Sequence, residues 1–161
     1  MNKEFSPDWS PKSIRQIARD KTMECRNFGM IMKQTDTLKI LVVDDEDIVR
    51  LTLAAMIDHM GHSAICVNDG LAGKQTLNNN KCDAAFVDMR MPGLDGMNLL
   101  KWSRQKRLGL PIIIMSGHGV EDSRDEALQS GAFAFLSKPF SLVGIKGLIE
   151  KIQDNFNAVT V

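Results

Sequence analysis

Five polar side chains in this sequence stand at or just beyond the ends of short apolar runs, and together they could handle phosphate and a divalent cation. Asp44 and Asp45 follow Ile40-Leu41-Val42-Val43, with Glu46 and Asp47 behind them. Asp88 follows Ala84–Val87, Ser116 follows Ile112–Met115, and Lys138-Pro139 come just after Phe133–Leu136. Brought together, Asp44, Asp45 and Asp88 would set three carboxylates beside one hydroxyl and one ammonium. Carboxylates that close repel one another, and their pKa values rise unless positive charge sits among them. A hard cation meets that need. Mg²⁺ takes about six oxygen ligands, and carboxylates, a carbonyl, phosphate oxygens and waters are its usual partners. Each residue alone has a simpler reading. Asp45 or Glu46 could cap a helix. Asp88 could stabilise the turn at Met91-Pro92-Gly93, Ser116 before Gly117 could be a turn residue, and Lys138 a surface lysine. The chemistry depends on whether four chain segments end at one place.

The periodicity of the chain supplies that convergence. Leu38–Val43 is apolar apart from Lys39 and short enough for a buried strand. Val49, Leu53, Met56, Ile57 and Met60 then recur at helical spacing, and Gly61 ends the helix. Ser63–Val67 (strand), Gly70–Asn79 (helix) and Ala84–Val87 (strand) follow, then a helix over Asn98–Lys106 stopped by Gly109 and Pro111. Ile112–Met115 is the most apolar strand, Asp122–Ser130 a helix, Phe133–Leu136 a strand and Leu142–Ile152 a helix. Alternating β and α units predict a parallel sheet covered on both faces. Right-handed crossovers then favour an α/β, flavodoxin-like (βα)5 three-layer sandwich with strand order 2-1-3-4-5. Such sheets carry their sites beyond the carboxyl ends of the strands. Strands 1, 3, 4 and 5 are neighbours in this order, so the five residues meet.

Composition narrows the function classes. Of 161 residues, 43% are hydrophobic and 25% charged, and 20 basic residues balance 20 acidic ones. A chain without net charge has no general attraction to nucleic acid or an anionic membrane. No apolar run approaches the roughly 18 residues of a spanning helix. Cys25, Cys66 and Cys82 are odd in number and form no C-x-x-C pair, which predicts free thiols and a cytoplasmic location. Cys66 and Cys82 read as small apolar packing residues, and His59 and His62 straddle a helix end in a way that suits no zinc site. Residues 1–36 read as an N-terminal extension, either a short helix opened by Ser10-Pro11 or disordered, with Met30 and Met32 as alternative starts. Residues 37–157 read as the compact domain.

The segments Ile40–Glu46, Ala85–Gly96, Ile112–His118 and Phe135–Phe140, in this order and spacing, resemble the receiver domain of bacterial two-component response regulators. The resemblance implies that Asp88 accepts a phosphoryl group from a histidine kinase or a histidine phosphotransfer protein. It implies that Asp44, Asp45, Asp88 and the backbone carbonyl of Arg90 hold Mg²⁺. Ser116 would bond a phosphoryl oxygen, Lys138 would pair with the acceptor or its phosphoryl group, and Pro139 would follow a cis peptide. Phe135 takes the place of the switch aromatic, turning inward as Ser116 is drawn toward the phosphate. Arg90 and His118 would border the path of hydrolytic water. The catalysis expected is that of a signalling domain on itself, not of an enzyme on a free substrate.

Few residues follow Asn155, so the output is expected through a separate effector protein, with the receiver a monomer or a phosphorylation-dependent homodimer and without direct contact to nucleic acid or membrane. Two other chemistries fit less well. Asp45-Glu46-Asp47-Ile48-Val49 matches the D-x-D-x-[TV] motif of haloacid-dehalogenase-type phosphatases, but the late acidic pair of that family is missing. A flavin-phosphate site would be repelled by the acidic cluster after the first strand. A docking module of the same fold without phosphorylation is the remaining alternative, and Mg²⁺ binding separates the two.

Overall fold

The computed structural model describes residues 37–79, 82–106, 108–117 and 120–159. The expected extension over residues 1–36, including Cys25, and His118 lie outside the described residues. Five strands and five helices alternate: β1 Lys39–Val43, α1 Asp47–His59, β2 Ser63–Val67, α2 Gly70–Asn79, β3 Ala84–Asp88, α3 Gly96–Gln105, β4 Ile112–Ser116, α4 Val120–Gln129, β5 Ala134–Ser137 and α5 Leu142–Val159. The strands form one parallel sheet in the order β2-β1-β3-β4-β5. This is the predicted order.

The period-two alternation of a strand divides the core into two layers. Ile40 and Val42 of β1, Ala84 and Phe86 of β3, and Ile113 and Met115 of β4 pack with Leu53 and Ile57 of α1 and Ile145, Ile149 and Ile152 of α5. The intervening residues Leu41, Val43, Ala85, Val87, Ile112 and Ile114 pack on the opposite face with Leu77 of α2, Leu99 and Leu100 of α3 and Ala127 of α4. Both faces of the central strands are therefore buried, which is why they read as continuous apolar runs rather than alternating ones.

Four local readings are corrected. α4 begins at Val120 and not at Asp122, and α5 runs on to Val159, past the expected Ile152. α3 begins at Gly96, two residues before the expected Asn98, because the Asp95 side chain caps it by accepting from Asn98 N at 2.8 Å. Cys66 is exposed on the edge strand β2 instead of packing inward, whereas Cys82 is half-buried against the core.

Candidate functional site

Parallel strands point all their carboxyl ends to one side of the sheet, so the residues after β1, β3, β4 and β5 share that side. Asp44 directly follows β1 and is wholly buried. Its Oδ1 accepts from the backbone N–H of Glu46 at 2.9 Å. Asp88 is the last residue of β3, and its Oδ2 accepts from the N–H of Arg90 at 3.1 Å. In each residue one carboxylate oxygen is thus fixed by the backbone two residues on. The other oxygens, Asp44 Oδ2 and Asp88 Oδ1, both lie 2.8 Å from Lys138 Nζ.

Lys138 is brought there from the end of β5. Its N–H donates to the carbonyl of Ser116 at 2.8 Å, which ties the chain after β5 to the end of β4. The Lys138–Pro139 peptide is cis. Ser116 is buried at the end of β4. Glu46 Oε1 stands 3.5 Å from the same ammonium. As the N-cap of α1, Glu46 makes no side-chain cap bond, and its carboxylate instead faces Lys138.

Burial pushes the Asp88 carboxyl above its ordinary value, and the neighbouring Asp44 charge adds to this. Hydrogen bonding and charge from Lys138, with the Arg90 N–H, pull the other way without cancelling it. For Lys138, burial disfavours the ammonium, but its bonds to Asp44 and Asp88 outweigh burial and hold it above the usual lysine range.

Oxygens of Asp44, Asp45 and Asp88 lie within 4.8 Å of one another. Asp44 Oδ2 is buried and has no aligned hydrogen-bond donor, although the Lys138 ammonium balances its charge. An all-oxygen donor set with spare acceptor capacity, next to the exposed Asp45, fits a hard divalent cation. The site opens into a cleft of about 520 Å³, lined by Glu46, Asp88, Arg90, Ser116 and Lys138 and by the apolar Ile48, Val49 and Phe140. Phe135, on β5, is half-buried against the layer that holds Ile112 and Ile114.

Two supporting residues were not legible in the sequence. Arg50 Nη1 donates to the carbonyl of Asp44 at 2.7 Å, and the same guanidinium pairs with Asp47. Helical spacing gives the Asp47 pair, but only the fold shows the reach back to Asp44. Gly96 lies against the carbonyl of Asp88, where a Cβ would come to 2.2 Å. The helix after β3 can start close to the carboxylate because that position carries no side chain.

Comparison with known proteins agrees with this geometry. A family model described as the response regulator receiver domain matches residues 40–150. The chain is 35% identical over 117 residues to the DNA-binding transcriptional regulator NtrC of Escherichia coli, covering 73% of this chain and 25% of that protein. It is 35% identical over 115 residues to the sensor histidine kinase RcsC of Escherichia coli, covering 71% of this chain and 12% of the kinase. The chain therefore spans a quarter or less of the length of these curated relatives. Among solved structures, the receiver domain of the Francisella response regulator 1452 superposes with a TM-score of 0.68 at 30% identity, covering 76% of this chain and 99% of that one. A match over more than two thirds of the chain, on the segments that build the acidic cleft, makes this protein a member of the response regulator receiver domain family.

Proposed function

We propose that this receiver accepts a phosphoryl group on Asp88 from a histidine kinase or histidine phosphotransfer protein. We further propose that it does so with Mg²⁺ and passes the signal to a separate effector protein through a change in its surface. The observation that carries this reading is the geometry at Lys138: a partly buried ammonium 2.8 Å from both Asp44 and Asp88, with Asp45 alongside.

Asp44, Asp45, Asp88 and the carbonyl of Arg90 would hold the cation. When bound, Mg²⁺ supplies positive charge and coordination for phosphoryl oxygens. The Asp88 carboxylate is the nucleophile, with Oδ2 held by the Arg90 N–H and Oδ1 paired with Lys138. Its attack on phosphorus forms the acyl phosphate as the bond to the donor's nitrogen or oxygen breaks. Lys138 stays near the carboxylate and takes up the charge that moves onto the phosphoryl oxygens. The Ser116 hydroxyl, buried at the end of the adjacent strand, would bond one of those oxygens.

The product adds a charge of about −1.5 to −2 at a buried strand end. Ser116 moves toward it, and Phe135 turns inward behind Ser116. Chemistry of this kind is a signalling domain's modification of itself. No described helix is long and apolar enough to cross a membrane. A histidine kinase as the phosphoryl donor would put the domain in the cytoplasm.

Intact mass spectrometry after incubation with Mg²⁺ and acetyl phosphate tests the proposal. One phosphoryl adduct is expected, absent from Asp88→Ala and absent when the metal is chelated. An adduct that survives in Asp88→Ala, or none in the wild type, overturns it.

A further inference from the structure

Lys138 faces more negative charge than the transfer reaction requires. Its Nζ contacts Asp44 and Asp88 at 2.8 Å and then a third carboxylate, Glu46, at 3.5 Å. Glu46 differs from the other two in position. Its side chain is 66% exposed, and it lines the open cleft with Asp88, Arg90 and Ser116. The lysine side chain, by contrast, is only 13% exposed. A phosphoryl donor seated at Asp88 therefore shares the cleft with this carboxylate, and Arg90 and Lys138 are the cationic side chains that line it.

We infer that Glu46 selects the phosphoryl donor by charge. It disfavours donors that arrive as dianions, such as acyl phosphates, relative to nitrogen-linked donors whose leaving group carries a proton. This inference rests on the reading of Asp88 as the phosphoacceptor. Two physical effects act in the same direction. The carboxylate repels an incoming anion across a partly solvated gap, an effect of roughly threefold to tenfold in rate at such separations. It also draws on the Lys138 charge that a dianionic phosphoryl group needs, while a protonated leaving nitrogen at the mouth gains from the same carboxylate. With acetyl phosphate, the Asp88 oxygen bonds to phosphorus as the bond to acetate breaks and acetate leaves. With phosphoramidate, the phosphorus–nitrogen bond breaks and ammonia leaves from the protonated nitrogen. At neutral pH the first donor is a net dianion and the second a net monoanion, so comparing the wild type with the variant donor by donor removes the difference in leaving group and leaves the difference in charge.

The test measures phosphorylation rate against donor concentration for the wild type and Glu46→Gln, with Mg²⁺ saturating for each. Glu46→Gln should raise the efficiency with acetyl phosphate about threefold to tenfold, through a lower half-saturating concentration. Phosphoramidate efficiency should stay within about twofold. High salt should close the gap between the two proteins, because exposed charges are screened. An equal rise with both donors, no rise with either, or a change confined to the maximal rate overturns the inference. Failure of the wild type to take up phosphoryl from both donors would instead overturn the reading of Asp88.

Discussion

At the scale of single residues, the site is a problem in charge balance. Asp44 and Asp88 are buried, and Lys138 is the one described cation in contact with both. Removing it leaves two carboxylates without a counter-charge, a change that typically costs about 3–5 kcal/mol in a buried pair. Asp88 softens this by taking a proton, since burial already pushes its pKa up. Lys138→Met should therefore lose roughly 2–4 kcal/mol in metal-free buffer at neutral pH. Millimolar Mg²⁺ should return part of that loss, because a ligand that binds only the folded state stabilises it. The expected signature is a larger Mg²⁺-induced rise in Tm for Lys138→Met than for the wild type. Equal rises, or none, would mean that lysine and cation do not answer the same charge. The carboxylates themselves were readable in the sequence because each stands where an apolar run stops. The carbonyl contact of Arg50 was not, because it joins a helix side chain to the backbone of the preceding loop.

At the scale of elements, the acidic residues depend on how closely the helices start behind the strands. α3 is the tightest case. Gly96 sits where a Cβ would lie 2.2 Å from the Asp88 carbonyl oxygen, and that oxygen belongs to backbone that cannot rotate away. Gly96→Ala should cost about 1–3 kcal/mol by overpacking, read as a lower urea midpoint, and should slow phosphoryl uptake by displacing Asp88. Gly147→Ala, in α5, is the matched comparison, since no atom lies within 4 Å of its added methyl. There the gain in helix propensity should leave stability unchanged or raise it by about 0.5–1 kcal/mol. Equal effects at the two glycines would show that the close approach is not a constraint. The strands and helix cores were legible because both sheet faces are buried and the period changes at each boundary. The start of α3 was missed because Gly96 and Met97 carry no helical pattern, and the cap from Asp95 only becomes decisive once the turn has formed. Cys66 was misread because a small apolar residue on an edge strand gives no sign of which side is covered.

At the scale of the whole molecule, the elements that cover the sheet are not equally firm. α1 and α5 anchor one face through Leu53, Ile57, Ile145, Ile149 and Ile152. On the other face, Ala127 is the only fully buried residue among the described side chains of α4, and Leu128 is 41% exposed. β5 is an edge strand with Ala134, Phe135 and Leu136 only half-buried. Elements with few buried apolar contacts open and shift at low cost, so a charge added at Asp88 would be read out there first. The link is short. Ser116 ends β4 beside Ser137 of β5, and its carbonyl holds the Lys138 N–H. Phe135 lies on the same strand, paired with Ile114. Phosphorylation should therefore change amide hydrogen exchange in α4 and β5 while leaving α1 and β1 as they were. Ser116→Ala should still take up the phosphoryl adduct on longer incubation but lose the exchange difference, because the hydroxyl proposed to draw β4 toward the phosphate is gone. An exchange change spread evenly over both layers, or one that survives in Ser116→Ala, would place the switch somewhere other than the β4–β5 end of the sheet.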